Sequence, residues 1–254
     1  MTIGAKCRQA IVLLVALLGS PRPGIAQVDD LPLVEVLVPN GQSYGADAHG
    51  SPLIILLSGD GGWTAMDREI GAFLSANGVP VIGLNSLRYF WKARSHEEAT
   101  DAVARITEYY LRKLSLSRVI LAGYSFGADV LPFIVNRLPT ELRQKIDGVV
   151  LVSPSDSAYF EIHVTEWTPW LAPKGEPLAP ELARLDARHI SCIHGSEEHD
   201  SPCLALGKAG ARAEAISGGH HMGGQYDEVA KRVLGFVQQA NPVQGPTETR
   251  PISQ

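Results

Sequence analysis

The stretch Val119-Ile120-Leu121-Ala122-Gly123-Tyr124-Ser125-Phe126-Gly127-Ala128-Asp129 constrains this chain more than any other. A β-branched and aliphatic run that stops at G-x-S-x-G predicts a strand buried on both faces, turning sharply into a helix. Such a turn leaves no room for side chains on either side of the serine, which accounts for both glycines. The serine would stand strained and exposed, with the positive end of the following helix aimed at whatever reacts there. The residue types in this order point to a serine nucleophile, with the backbone N–H of Phe126 free to bind a developing oxyanion.

Other runs extend the same alternation. Strands are predicted over 31–38, 52–57, 79–84, 147–153, 189–195 and 211–216, and helices over 66–77, from Ser95 onward, and after Gly224. Ser95 with Glu98 three residues later makes a capping box, and His96 just inside that helix is expected to be solvated. Strands alternating with helices imply an α/β class with a mostly parallel central sheet covered by helices on both faces. With the elbow in place, the expectation is an α/β-hydrolase fold in a single domain over residues 27–240. Residues 154–188 lose periodicity and gather Tyr159, Phe160, Trp167 and Trp170, which predicts a short cap-like insertion or a loop packed by its own aromatics. The tail from 241 is expected to be disordered.

A serine needs a base, and the base needs a carboxylate that fixes its tautomer. The fold's order is nucleophile, acid, histidine. Gly218-Gly219-His220-His221 follows the last predicted strand and leaves the base open between His220 and His221. The loop after Gly195 leaves the acid open between Glu198 and Asp200. The Gly-rich loop Ser58-Gly59-Asp60-Gly61-Gly62-Trp63 follows an early strand, where a second oxyanion N–H belongs, so Asp60 or Gly61 is the candidate. Asp60, Asp129 and Tyr124 flank these motifs and are candidate substrate contacts.

Residues 1–26 carry Lys6 and Arg8, an apolar run from Ala10 to Leu18 and the small-x-small Gly24-Ile25-Ala26, as a cleaved signal peptide does. Export leaves Cys192 and Cys203 as an even pair, expected to form a disulfide bracketing the acidic loop. No spacing suggests a metal site, and no cofactor is expected. A formal charge of −5 provides no basic footprint for nucleic acid.

Together the Ser58–Trp63 loop, the Ala122–Asp129 elbow, the Cys192 to Cys203 acidic loop and Gly218-Gly219-His220-His221 resemble the bacterial virulence protein VirJ and the C-terminal domain of AcvB. The resemblance runs from about Pro52 to Phe236. It implies a periplasmic serine hydrolase acting on aminoacylated phosphatidylglycerol, in particular the lysyl ester, with an association with type IV secretion in some relatives. It carries the nucleophile to Ser125 and the base to His220 or His221. Met222 departs from it, standing where an aromatic residue is expected, which bears on substrate fit. Two other functions fit the same residues: a non-catalytic adaptor or chaperone of a type IV secretion system, and a general lipase or carboxylesterase.

Overall fold

The computed structural model describes residues 27–39, 51–162 and 175–240. The expected signal peptide over 1–26, Trp167, Trp170 and the tail expected to be disordered from 241 lie outside them. Among the described residues, seven strands form one sheet: β1 (Leu33–Val36), β2 (Leu53–Leu57), β3 (Val81–Leu84), β4 (Val119–Tyr124), β5 (Ile146–Val152), β8 (Ile190–Gly195) and β9 (Arg212–Ile216), in spatial order β1-β3-β2-β4-β5-β8-β9. Only β1 runs antiparallel, paired with β3 at the edge. The strand expected over 31–38 is thus four residues long, since only that stretch finds a partner.

The alternation within β2 shows how the layers are built. Leu53, Ile55 and Leu57 face one apolar layer while Ile54 and Leu56 face the other, and all five are buried. The first layer is closed by α3 (His96–Lys113) and α4 (Phe126–Arg137), the second by α1 (Ala65–Ala76) and α8 (Tyr226–Ala240). The helix α3 starts where the capping box predicts, with Ser95 Oγ accepting the Glu98 N–H and a Glu98 carboxylate oxygen accepting the Ser95 N–H. His96 is not solvated as expected. Its Nε2 lies 2.9 Å from Glu176 Oε1 and its ring packs on Phe133 and Phe160.

The chain passes from β2 to β3 on one side and returns through α3 to β4 on the other. Loops leaving the C-terminal ends of β2 and β4 therefore diverge, and the crevice between them is where parallel sheets of this kind bind ligands. The described parts of 154–188 form a two-strand hairpin, β6 (Ser157–Ala158) with β7 (Glu176–Pro177), and the short helix α6 (Ala179–Leu182). Phe160 is packed on Phe90 and Phe133, while Tyr159 stays 42% exposed.

Cys192 in β8 and Cys203 in α7 (Pro202–Lys208) form the expected disulfide. It fastens both ends of the loop that carries Glu198. Cross-linking over a separation of 11 residues removes chain entropy from the unfolded state. Replacing both cysteines by alanine is expected to lower stability by about 2–3 kcal/mol. An unchanged urea midpoint would show that the bridge contributes nothing.

Candidate active site

Ser125 caps α4 with φ 51° and ψ −119°, a left-handed backbone that a non-glycine residue adopts only when its surroundings enforce it. Backbone bonds hold it, the Ser125 N–H to the Val152 carbonyl at 2.8 Å and the Asp129 N–H to the Ser125 carbonyl at 3.0 Å, and the neighbours must be small to allow it. A Cβ on Gly123 would sit 2.5 Å from the Gly127 carbonyl carbon, and one on Gly127 would overlap the Leu57 carbonyl. The elbow can form because both positions are glycine, and it lifts the Ser125 side chain out of the sheet.

The Ser125 hydroxyl lies 2.8 Å from His220 Nε2, and His220 Nδ1 lies 2.8 Å from Glu198 Oε1. A carboxylate can only accept, so it holds a proton on Nδ1 and leaves the Nε2 lone pair for the Ser125 proton. The other Glu198 oxygen, Oε2, accepts the Gly195 N–H at 2.7 Å. Ser153 Oγ, at the end of β5, lies 3.1 Å from that same oxygen and 3.0 Å from the His220 carbonyl. Burial alone would raise the Glu198 pKa, yet the bonds from Gly195, His220 and Ser153 together outweigh it and hold the carboxyl below its ordinary value. It therefore stays ionised beside the imidazole.

The two open choices separate by geometry. His220 reaches Ser125, whereas His221 turns to the neighbouring residue, its Nδ1 2.6 Å from the Tyr124 hydroxyl. Glu198 reaches His220, whereas Asp200 does not. Asp200 is exposed and lines a cavity of about 700 Å³ between α6 and α7. Ser153 was not singled out from the sequence. Its position, at the C-terminal end of a buried strand beside β4, was the available signal.

The Gly-rich loop turns tightly at Asp60-Gly61, closed by the Gly62 N–H donating to the Gly59 carbonyl at 3.1 Å. Gly59 lies against the nucleophile: a Cβ built on it would come 3.5 Å from Ser125 Cβ and 3.3 Å from the Tyr124 ring. Among the described residues, the N–H groups of Asp60, Gly61 and Phe126 have no acceptor. Phe126 owes this to its place as the first residue of α4. The Phe126 N–H follows Ser125 in the chain and the other two belong to the loop that packs against it, which makes all three candidate donors to an oxyanion.

The two candidate recognition carboxylates differ. Asp60 is exposed, while Asp129 is 6% exposed and its Oδ1 accepts the Ser155 N–H at 2.6 Å. Burial pushes the Asp129 pKa up to about 7, against the smaller lowering effect of the Ser155 bonds. The folded value lies above that of an unfolded aspartate, so the associated stability is full below pH ~4 and falls as the pH rises toward 7. Asp129→Asn keeps the acceptor for Ser155. It is expected to be more stable than the native chain at pH 8, by about 1–4 kcal/mol, with the gap closing near pH 4. Urea unfolding at the two pH values checks this, and a gap that does not depend on pH contradicts it.

Among the described residues, no group of three His, Cys, Asp or Glu side chains is arranged to hold a metal ion.

Solved structures share the fold at low identity. MenH from S. aureus superposes with a TM-score of 0.55 at 13% identity, covering 82% of this chain and 98% of its own. An esterase from Exiguobacterium antarcticum gives 0.55 at 11%, covering 81% and 94%. A putative hydrolase of the alpha/beta superfamily from Xanthomonas campestris gives 0.52 at 14%, covering 74% and 99%. These likenesses establish the α/β-hydrolase fold. No curated protein matches the chain in sequence. Residues 51–241, most of the chain and all of the sheet from β2 onward, match the family described as bacterial virulence protein (VirJ), and the chain belongs to that family.

Proposed function

We propose that this protein is a periplasmic serine hydrolase that cleaves the aminoacyl ester of lysyl-phosphatidylglycerol or a related aminoacylated lipid. The observation that carries this reading is the continuous hydrogen-bonded line from Ser125 through His220 to Glu198. In the reaction, Ser125 Oγ attacks the ester carbonyl carbon as its proton passes to His220 Nε2. The carbonyl oxygen becomes an oxyanion and takes N–H bonds from Phe126 and from Asp60 or Gly61. Collapse breaks the bond to the glycerol oxygen, which leaves with the proton from His220 as phosphatidylglycerol. Water, deprotonated by His220, then hydrolyses the aminoacyl ester on Ser125 and releases the amino acid. Glu198 keeps the imidazole oriented and stabilises its charged form throughout.

An aminoacyl group brings ammonium charge to the mouth of the site. The exposed Asp60 suits that charge, whereas Asp129 is engaged with Ser155. Export follows from the leader-like residues 1–26 and accords with the disulfide.

The test is lipid analysis after incubating the protein, without residues 1–26, with lysyl-, alanyl- and unmodified phosphatidylglycerol. Loss of the aminoacyl lipids with the diacyl lipid intact supports the reading, and release of fatty acid indicates a general lipase instead. Asp60→Asn should lower kcat/KM for the lysyl ester about ten- to a hundredfold relative to a neutral acyl ester. An unchanged ratio would remove Asp60 from recognition.

A further inference from the structure

The segment from Asn85 to Arg94, which opens with a short helix over Ser86–Tyr89, leaves β3 at the C-terminal edge of the sheet and is fastened to the Gly-rich loop beside Ser125. The Ser86 N–H donates to Ser58 Oγ at 2.9 Å, and Ser86 Oγ donates to the Ser58 carbonyl at 2.6 Å. Phe90 is fully buried, its ring 5.0 Å from that of Phe126, the residue after Ser125. Trp91, next in the chain, faces the other way and is 58% exposed, more than any other large hydrophobic side chain among the described residues. The exposed Tyr159 belongs to the adjoining segment, tied to this loop by Arg94 N–H to the Phe160 carbonyl at 2.9 Å and Ile162 N–H to the Phe90 carbonyl at 2.8 Å. Among the described residues, two of the three exposed large hydrophobic side chains thus sit on neighbouring segments, one of them fastened to the Gly-rich loop beside Ser125.

The charge there runs against that of the chain. Acidic residues outnumber basic ones 27 to 22 overall, yet Arg88 to Arg94 holds Arg88, Lys92 and Arg94 and no acid. Arg94 is paired with Glu98 at 3.6 Å, and Glu161 on the adjoining segment has contacts of its own. Arg88 and Lys92 are exposed and have no ion-pair partner among the described residues. An indole is most at home where one end is apolar and the other wet, and cations beside it are drawn to a negative surface. Both conditions are met at the head-group layer of an anionic bilayer.

We propose that Trp91, Arg88 and Lys92, with Tyr159 beside them, form the face by which the enzyme docks on an anionic phospholipid membrane, bringing the mouth beside Ser125 to its lipid. The proposal rests on the reading that the substrate is a lipid ester. No helix among the described residues is long and apolar enough to cross a membrane.

Docking can be measured without turnover by sedimenting the Ser125→Ala protein with phosphatidylglycerol/phosphatidylcholine vesicles and with phosphatidylcholine alone. The protein is expected to sediment with the first and not the second, less so as salt is raised. Each cation near an anionic surface contributes about fivefold to partitioning, so Arg88→Ala with Lys92→Ala should weaken it roughly 25-fold. Trp91→Ala should weaken it about tenfold, and Leu204→Ala, exposed on α7, should leave it unchanged. Circular dichroism confirms that each variant is folded. Equal sedimentation with both vesicle types, or variants that sediment like the parent, would overturn the proposal. Failure of the hydrolase reading shows separately, as absence of fluorophosphonate labelling at Ser125 in the otherwise unaltered protein.

Discussion

Replacing Ser125 by alanine is expected to lower ester turnover by about 10⁴-fold or more while the protein stays folded. The alanine loses the Oγ that would form the acyl intermediate and the proton that His220 would take. What remains is binding and the N–H donors of Asp60, Gly61 and Phe126, which give only residual catalysis. The fold should survive because the turn is held by backbone bonds that the substitution leaves alone, the Ser125 N–H to the Val152 carbonyl at 2.8 Å and the Asp129 N–H to the Ser125 carbonyl at 3.0 Å. Steady-state rates with purified protein and an aminoacyl ester check this. A variant that turns over within tenfold of the native rate means that another group attacks the ester.

The second large effect concerns the acid. Glu198→Gln should lower kcat about 10³- to 10⁴-fold, because an amide presents both a donor and an acceptor and no longer dictates which nitrogen of His220 carries the proton. The Gly195 N–H and Ser153 hydroxyl, both on the carboxylate in the native chain, would also compete for the single amide oxygen. Asp200→Asn, by contrast, should change kcat by less than about twofold, since Asp200 makes no bond to His220. Comparable losses in both variants, or a larger one at Asp200, would contradict the assignment of the acid.

The contrast between these two carboxylates marks where sequence reading ends. The elbow was legible because everything that makes it is local: five residues that decide both the turn and what must be small around it. The sheet was legible for a related reason, since β2, β4 and β5 from Gly148 onward are buried on both faces and carry no charged residue. At the edge the signal weakens. β1 is four residues paired on one side, so its ends and direction depend on β3 rather than on its own pattern.

The site was legible as residue types and ambiguous as partners. Glu198 and Asp200 share one loop and differ in reach, and the reach is set by the Gly195 N–H and by Ser153, 45 residues earlier in the chain. His220 and His221 are adjacent, and their assignment follows from a crossed pairing in which Ser125 meets the first and Tyr124 the second. Neither partner can be read from spacing within the glycine-rich turn. His96 shows the same limit, because a helix-start histidine meets Glu176 only once the β6–β7 hairpin folds back over it.

The most direct measurement of the central claim is mass mapping after treatment with a fluorophosphonate, which reacts with a serine only when its hydroxyl is activated. The account predicts one adduct, on the peptide containing Ser125, with labelling lost in His220→Ala and kept in His221→Ala. An unlabelled protein, an adduct on a different serine, or labelling that depends on His221 rather than His220 would contradict it.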